Sequence, residues 1–206
     1  MKFLQKYEFS FKNPKENLYF CFYLCFFEKY GLTSLSGMDI VINDTNIFLD
    51  LYDVDLLDTF FQLPVQVHTV DFVVDEIKRP AQQSVIQDLI SRGVLVVKDY
   101  SSASLVNLYQ FNIECGGNLT LTDSTVIFYA QSISGCRILT GDRQLRNRAE
   151  ERGITVSGIL YVFDLLIEHA LIPPPEAAQK LEALFRINPR LPKREIEVRI
   201  EKWRKS

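Results

Sequence analysis

Asp39-Ile40-Val41-Ile42-Asn43-Asp44-Thr45-Asn46-Ile47-Phe48-Leu49 opens with a short β-branched run that breaks at a polar triplet, after which apolar residues recur at helical spacing. It reads as strand, turn, helix. A second stretch, Cys136-Arg137-Ile138-Leu139-Thr140-Gly141-Asp142-Arg143-Gln144-Leu145, repeats the pattern: an apolar run, small polar residues, an acid, then a helix. If both strands share a parallel sheet, Asp44 and Asp142 emerge together at its carboxyl edge, where open α/β folds bind ligands.

Strand and helix signals alternate outward from these stretches. Ile40 to Asn43 is followed by a helical pattern from Ile47 to Phe61, and Val65 to Thr69 by a helix carrying Asp75 and Glu76. Ala81 to Ser91 is helical, Val94 to Val97 is a buried strand, and Ser101 or Ser102 can cap the next helix. A helix starting at Thr122 or Asp123 leads to the strand Arg137 to Thr140, a helix from Arg143 to Arg152 and a last strand, Ile154 to Val156. Beyond Gly158 the pattern is helical, through Pro173-Pro174-Pro175 and into a charged tail. Such alternation predicts an α/β fold, three layers around a central, mostly parallel sheet, with a C-terminal helical extension.

The organisation expected is an aromatic-rich extension at 1–37, a core domain at 38–172 and the helical extension at 173–206. Met38 directly precedes the first strand and reads as a natural start, although the upstream segment can also be read as a hydrophobic arm that docks on a partner. Its run Leu18 to Phe27 is closed by Glu28 and Lys29, and is too short for a bilayer, which takes about 20 residues. No membrane association is expected.

With 206 residues, 47% of them hydrophobic, the chain can bury a full core, while a net charge of −3 advertises no bulk attraction to a polyanion. Any nucleic acid must then be held by local patches or by metal. Cys21, Cys25, Cys115 and Cys136 lack paired zinc spacing, and the histidines are His68 and His169. Reduced thiols in a cytoplasmic protein are the expected state.

Asp44, Glu76, Asp123 and Asp142 are the candidate site. Singly, each has an ordinary reading: Asp44, Asp123 and Asp142 as helix N-caps, Glu76 on a solvated face. Jointly they point to a common site, because two of them follow strands expected to be neighbours. Mg²⁺ and Mn²⁺ prefer oxygen ligands, and a carboxylate cluster holding them can act on a phosphodiester without a histidine or cysteine nucleophile. Arg143, Arg146 and Arg148 follow Asp142; such a run usually solvates a helix face, and the alternative is that it steers phosphates.

Asp44-Thr45-Asn46, Val73-Val74-Asp75-Glu76-Ile77, Leu119-Thr120-Leu121-Thr122-Asp123-Ser124 and Leu139-Thr140-Gly141-Asp142 resemble, in order and spacing, the PIN-domain nucleases, which include VapC-type toxins. The likeness covers about Met38 to Leu166. It implies that Asp44, Glu76, Asp123 and Asp142 bind Mg²⁺ or Mn²⁺ and cleave RNA, with Asn46 and Thr140 in support. Asp75 stays open as the second acid, because one step along a helix turns a side chain by about 100°. The implied partners are an RNA substrate, an antitoxin protein and a second copy of the chain. A non-catalytic PIN-like binding module is the alternative. A phosphate-accepting receiver domain is disfavoured, for Asn43-Asp44 lacks its acidic pair and Thr140-Gly141-Asp142 its lysine.

Overall fold

The structure, a computed structural model, describes residues 39–100, 105–116 and 119–205. The aromatic segment 1–37 and the expected cap at Ser101 or Ser102 lie outside the described residues.

β1 (Asp39–Asn43) is built from β-branched residues whose side chains are buried on both faces, as Val41 and Ile42 are. That is the expected composition for the interior of a parallel sheet. β2 (Val65–Val70) and β3 (Leu95–Lys98) extend the sheet on one side, β4 (Arg137–Leu139) and β5 (Thr155–Ser157) on the other. All four pairings are parallel, in the order β3-β2-β1-β4-β5. The chain therefore winds outward from β1, returns, and winds outward again. β1 and β4 meet where the winding reverses, and the crevice at such a switch point is where this architecture holds ligands. In the register Asn43 stands beside Leu139, so Asp44 and Thr140 are the first residues past the sheet edge. The Asp44 N–H donates to the Leu139 carbonyl at 3.0 Å, and the Thr140 N–H to the Ser157 carbonyl at 2.9 Å.

Helices flank the sheet to give the expected three-layer arrangement. They are α1 (Thr45–Asp53), α2 (Leu57–Phe60), α3 (Asp71–Glu76), α4 (Pro80–Ser91), α5 (Leu105–Glu114), α6 (Leu121–Gln131), α7 (Arg143–Glu150), α8 (Ile159–Glu168), α9 (Pro174–Ile187) and α10 (Lys193–Arg204). The single helix expected from Ile47 to Phe61 is two. Asp55 adopts φ 52°, a left-handed conformation that Asp tolerates, and the break lets Val54, Leu56 and Leu57 all turn into the core. The helix expected to start at Thr122 or Asp123 begins at Leu121, with Thr120 as its N-cap and Asp123 as the third residue of a capping box.

The C-terminal helices share the core of the sheet domain. Ala177, Ala178, Leu181 and Leu184 of α9 are fully buried, and Trp203 of α10 stacks on Phe163 of α8 with ring centroids 6.2 Å apart. Polar ties reinforce the dock. Lys180 donates to the Val54 carbonyl at 2.7 Å, Asn188 donates to buried Asp50 of α1 at 3.1 Å, and Arg199 grips Asp164 of α8 at 2.8 Å. Cys115 and Cys136 are buried free thiols. Among the described residues no helix is long and apolar enough to cross a membrane.

Candidate active site at the β1 and β4 carboxyl ends

Asp44 is the most deeply placed of the four acids, at 5% exposure. As N-cap of α1 it accepts the Thr45 N–H at Oδ1, 2.7 Å away. Its Oδ2 accepts the Thr140 hydroxyl at 2.7 Å and the Asn46 side-chain amide. Burial, with the charges of Asp123 and Glu76, pushes its carboxyl up to about 6, against the pull of the Thr140 and Thr45 hydrogen bonds.

Thr140 ties two elements together. While it donates to Asp44, its oxygen accepts the Asp142 N–H at 2.9 Å. The intervening Gly141 N–H donates to Asn46 Oδ1 at 2.8 Å, and a Cβ at 141 would meet that same oxygen at 3.2 Å. Asp142 then caps α7, with one oxygen, Oδ1, accepting both the Gln144 N–H at 2.7 Å and the Leu145 N–H at 2.8 Å.

Asp123 sits in the first turn of α6. Its Oδ2 accepts from the Thr120 N–H and the Thr120 hydroxyl, and its own N–H donates back to that hydroxyl. Its carboxyl is raised chiefly by burial, and the charges of Asp142 and Glu76 act in the same direction. Glu76, at the end of α3, accepts the Thr45 hydroxyl at 2.7 Å, which fastens it beside Asp44. Asp75 shows no such tie; its neighbour is the acid that faces Asp44 and Asp123.

Four elements thus bring four carboxylates into mutual electrostatic range, one pair sharing the Thr140 bridge. Three of them use one oxygen for positioning: among the described residues, Asp142 Oδ2, Asp123 Oδ1 and Glu76 Oε1 accept no hydrogen bond. Nor does any Lys, Arg or His among the described residues form an ion pair with the four. As the side chains stand, no three carboxylates among the described residues close tightly enough to hold a metal ion. The donor set is hard oxygen throughout, the chemistry that Mg²⁺ and Mn²⁺ prefer.

The fold agrees with a family-level match: residues 40–205 match the DUF3368 model, a PIN domain. The chain belongs to the PIN-domain family. PIN domains are generally nucleases that use divalent metals, and the match runs through the C-terminal helices as well as the sheet. No curated protein matches the sequence.

Two contributions to this PIN domain's site were not singled out from sequence. Thr45 and Thr120 supply the hydroxyls that orient Glu76 and Asp123; the capping-box spacing of Thr120 and Asp123 was the signal for the second. Of the three arginines after Asp142, Arg146 is committed to the Thr140 and Val156 carbonyls and to Glu150, and Arg148 pairs with Glu151 at 2.9 Å.

Proposed function

We propose that this PIN domain is a metal-dependent endoribonuclease, hydrolysing phosphodiester bonds with Mg²⁺ or Mn²⁺ held by Asp44, Glu76, Asp123 and Asp142. The observation that carries it is a set of four carboxylates gathered from four elements with, among the described residues, no cationic side chain in an ion pair with them. Such an arrangement costs stability in a protein that has no use for a cation.

A bound divalent ion would supply charge neutralisation at the phosphate and a water of lowered pKa. The chain's own contribution is orientation. Thr140 and Asn46 hold Asp44 in one rotamer, the α7 amides hold Asp142, Thr120 holds Asp123, and Thr45 holds Glu76. Asp44, raised to about 6, is the group whose ionisation a cation would most favour.

Purified protein is expected to cut single-stranded or looped RNA in Mg²⁺ or Mn²⁺ and to stop in EDTA, while Asp142→Asn folds and does not cut. RNA that is bound but left intact in every metal would instead identify a non-catalytic binding module. The finer reading is a toxin paired with an antitoxin, acting in the cytoplasm as a dimer. It predicts that inducing wild type arrests growth of a bacterial host, whereas Asp142→Asn does not. Growth unaffected by an active enzyme removes the toxin role and leaves the chemistry.

A further inference from the structure

Beside the carboxylates lies a cleft of about 240 Å³ lined by Leu119, Gln144, Asn147, Arg148 and Glu151. Four of these belong to the α7 segment at spacing i, i+3, i+4 and i+7, the spacing of a single helical face. On the helix's other side Leu145 and Ala149 enter the core. The face with the regular stripe therefore carries two amides, a guanidinium and a carboxylate, and it looks into a concavity.

Both walls connect directly to the acids. The Gln144 N–H donates to the Asp142 carboxylate at 2.7 Å, so its side chain leaves the backbone two residues from that acid. Across the cleft, Leu119 precedes Thr120, which holds Asp123. Neither the Gln144 nor the Asn147 side-chain amide makes a hydrogen bond among the described residues. Arg148 is held in place by Glu151 at 2.9 Å, and it passes close to Gly116, where φ is 87° and a Cβ would meet its Nη2 at 3.1 Å.

We propose that this cleft is a base-binding subsite, in which Gln144 and Asn147 hydrogen-bond the edge of one unpaired nucleobase and the Arg148 guanidinium stacks on its plane, next to the phosphate handled at the carboxylates. The inference rests on the nucleic-acid reading above. Sites for drug-sized ligands run to roughly 300–1,000 Å³, so a cleft of about 240 Å³ suits a smaller planar group. Primary amides donate and accept in pairs, which matches a base edge, and single-stranded RNA is read through splayed bases stacked on aromatic or guanidinium planes. A phosphate would be poorly served, because Glu151 adds a negative charge to the wall and Arg148 is already paired to it.

The test is fluorescence anisotropy with short labelled homopolymers of A, C and U in EDTA at low ionic strength, for wild type, Gln144→Ala and Asn147→Ala. Wild type is expected to favour one homopolymer. Each variant should bind that one roughly tenfold more weakly and bind the other two as before, so that the preference collapses. Both positions are exposed, and unchanged melting temperatures would exclude misfolding. Equal affinities in wild type, a preference unaltered in both variants, or no measurable binding would each overturn the subsite. A wild type that cuts RNA without preference keeps the nuclease and loses the subsite. One that shows the preference and its collapse, yet never cuts, keeps the subsite and loses the nuclease.

Discussion

A single hydroxyl, that of Thr140, ties together the segments that carry two of the candidate acids. Fully buried, it donates to Asp44 and accepts from the Asp142 backbone. Thr140→Val keeps the shape and removes these bonds, with the longer one from the Asn46 amide at 3.4 Å, leaving a buried carboxylate oxygen and an N–H short of partners, a loss of about 1–3 kcal/mol. Partners of this kind behind a metal ligand are typically worth 10–100-fold in affinity or activity. We expect Thr140→Val to lose activity in that range, and Thr140→Ser to restore most of it; equal activity in Val and Ser variants would show the hydroxyl to be idle. The complementary case is Asp142. Its two capping bonds both end on Oδ1, so the carbonyl oxygen of Asn can keep them while the free oxygen becomes an amide. Asp142→Asn should therefore melt near wild type in EDTA and yet fail to cleave. Lowered stability together with retained cleavage would identify Asp142 as a cap alone.

Among the elements, α1 carries opposite assignments at its two ends: Asp44 caps it at the site, and buried Asp50 receives Asn188 from the end of α9. Burial, with help from Asp53, pushes Asp50 up to about 6 against the pull of Asn188. A carboxyl raised on folding holds its proton more tightly in the native state, so its contribution favours the fold below about pH 4. That contribution is lost as the pH rises to about 6. Asn at this position still accepts from Asn188 and never ionises. Asp50→Asn should thus be more stable than wild type at pH 8, by an amount on the order of 1–3 kcal/mol, and the gap should close by pH 4. Melting curves at the two pH values check this, and a gap independent of pH would rule out the charge as its origin.

Elements also show what was legible in the sequence. Asp44 and Asp142 were readable because each ends an apolar strand and opens a helix, and the cap chemistry and the site chemistry demand the same residue there. The break at Asp55 was not, because Val54, Leu56 and Leu57 keep a helical apolar rhythm through a left-handed turn that tertiary packing selects. Thr120 was hidden for a related reason: in Leu119-Thr120-Leu121-Thr122-Asp123 three residues can cap, and only the folded backbone chooses among them. The arginine run after Asp142 stood out by its charge, whereas the amides of the cleft-facing stripe come from the quieter residues between, Gln144 and Asn147. Uncharged amides on a helix carry no signal until a concavity faces them.

At the scale of the molecule, the proposed cation site predicts that stability depends on divalent metal. An ion that binds only the folded state stabilises it by RT ln(1 + [L]/Kd), about 2.7 kcal/mol at a hundredfold excess over Kd. Millimolar Mn²⁺ should raise the melting temperature of wild type by a few degrees, and that of Asp142→Asn by less. Identical rises would place the ion elsewhere. The C-terminal helices belong to the same cooperative unit, since Trp203 closes over Phe163 and α9 is buried along one face. Trp203→Ala is expected to cost about 3–5 kcal/mol, and removal of residues 173–206 to leave an insoluble sheet. A soluble, cooperatively melting truncation would show the helices to be an appendage.

Strand order also dictates when, during its own synthesis, the chain can first assemble the candidate site. A ribosome finishes β1, β2 and β3 early, but Thr140 follows Asp44 by 96 residues, an interval of about 5–20 s at ordinary elongation rates. Until β4 has left the ribosome and taken its place against β1, the nascent polypeptide owns Asp44 and Glu76 without Asp142 or the hydroxyl that aligns them. If the proposed chemistry holds, a nuclease wired in this order stays inert until β4 is seated beside β1.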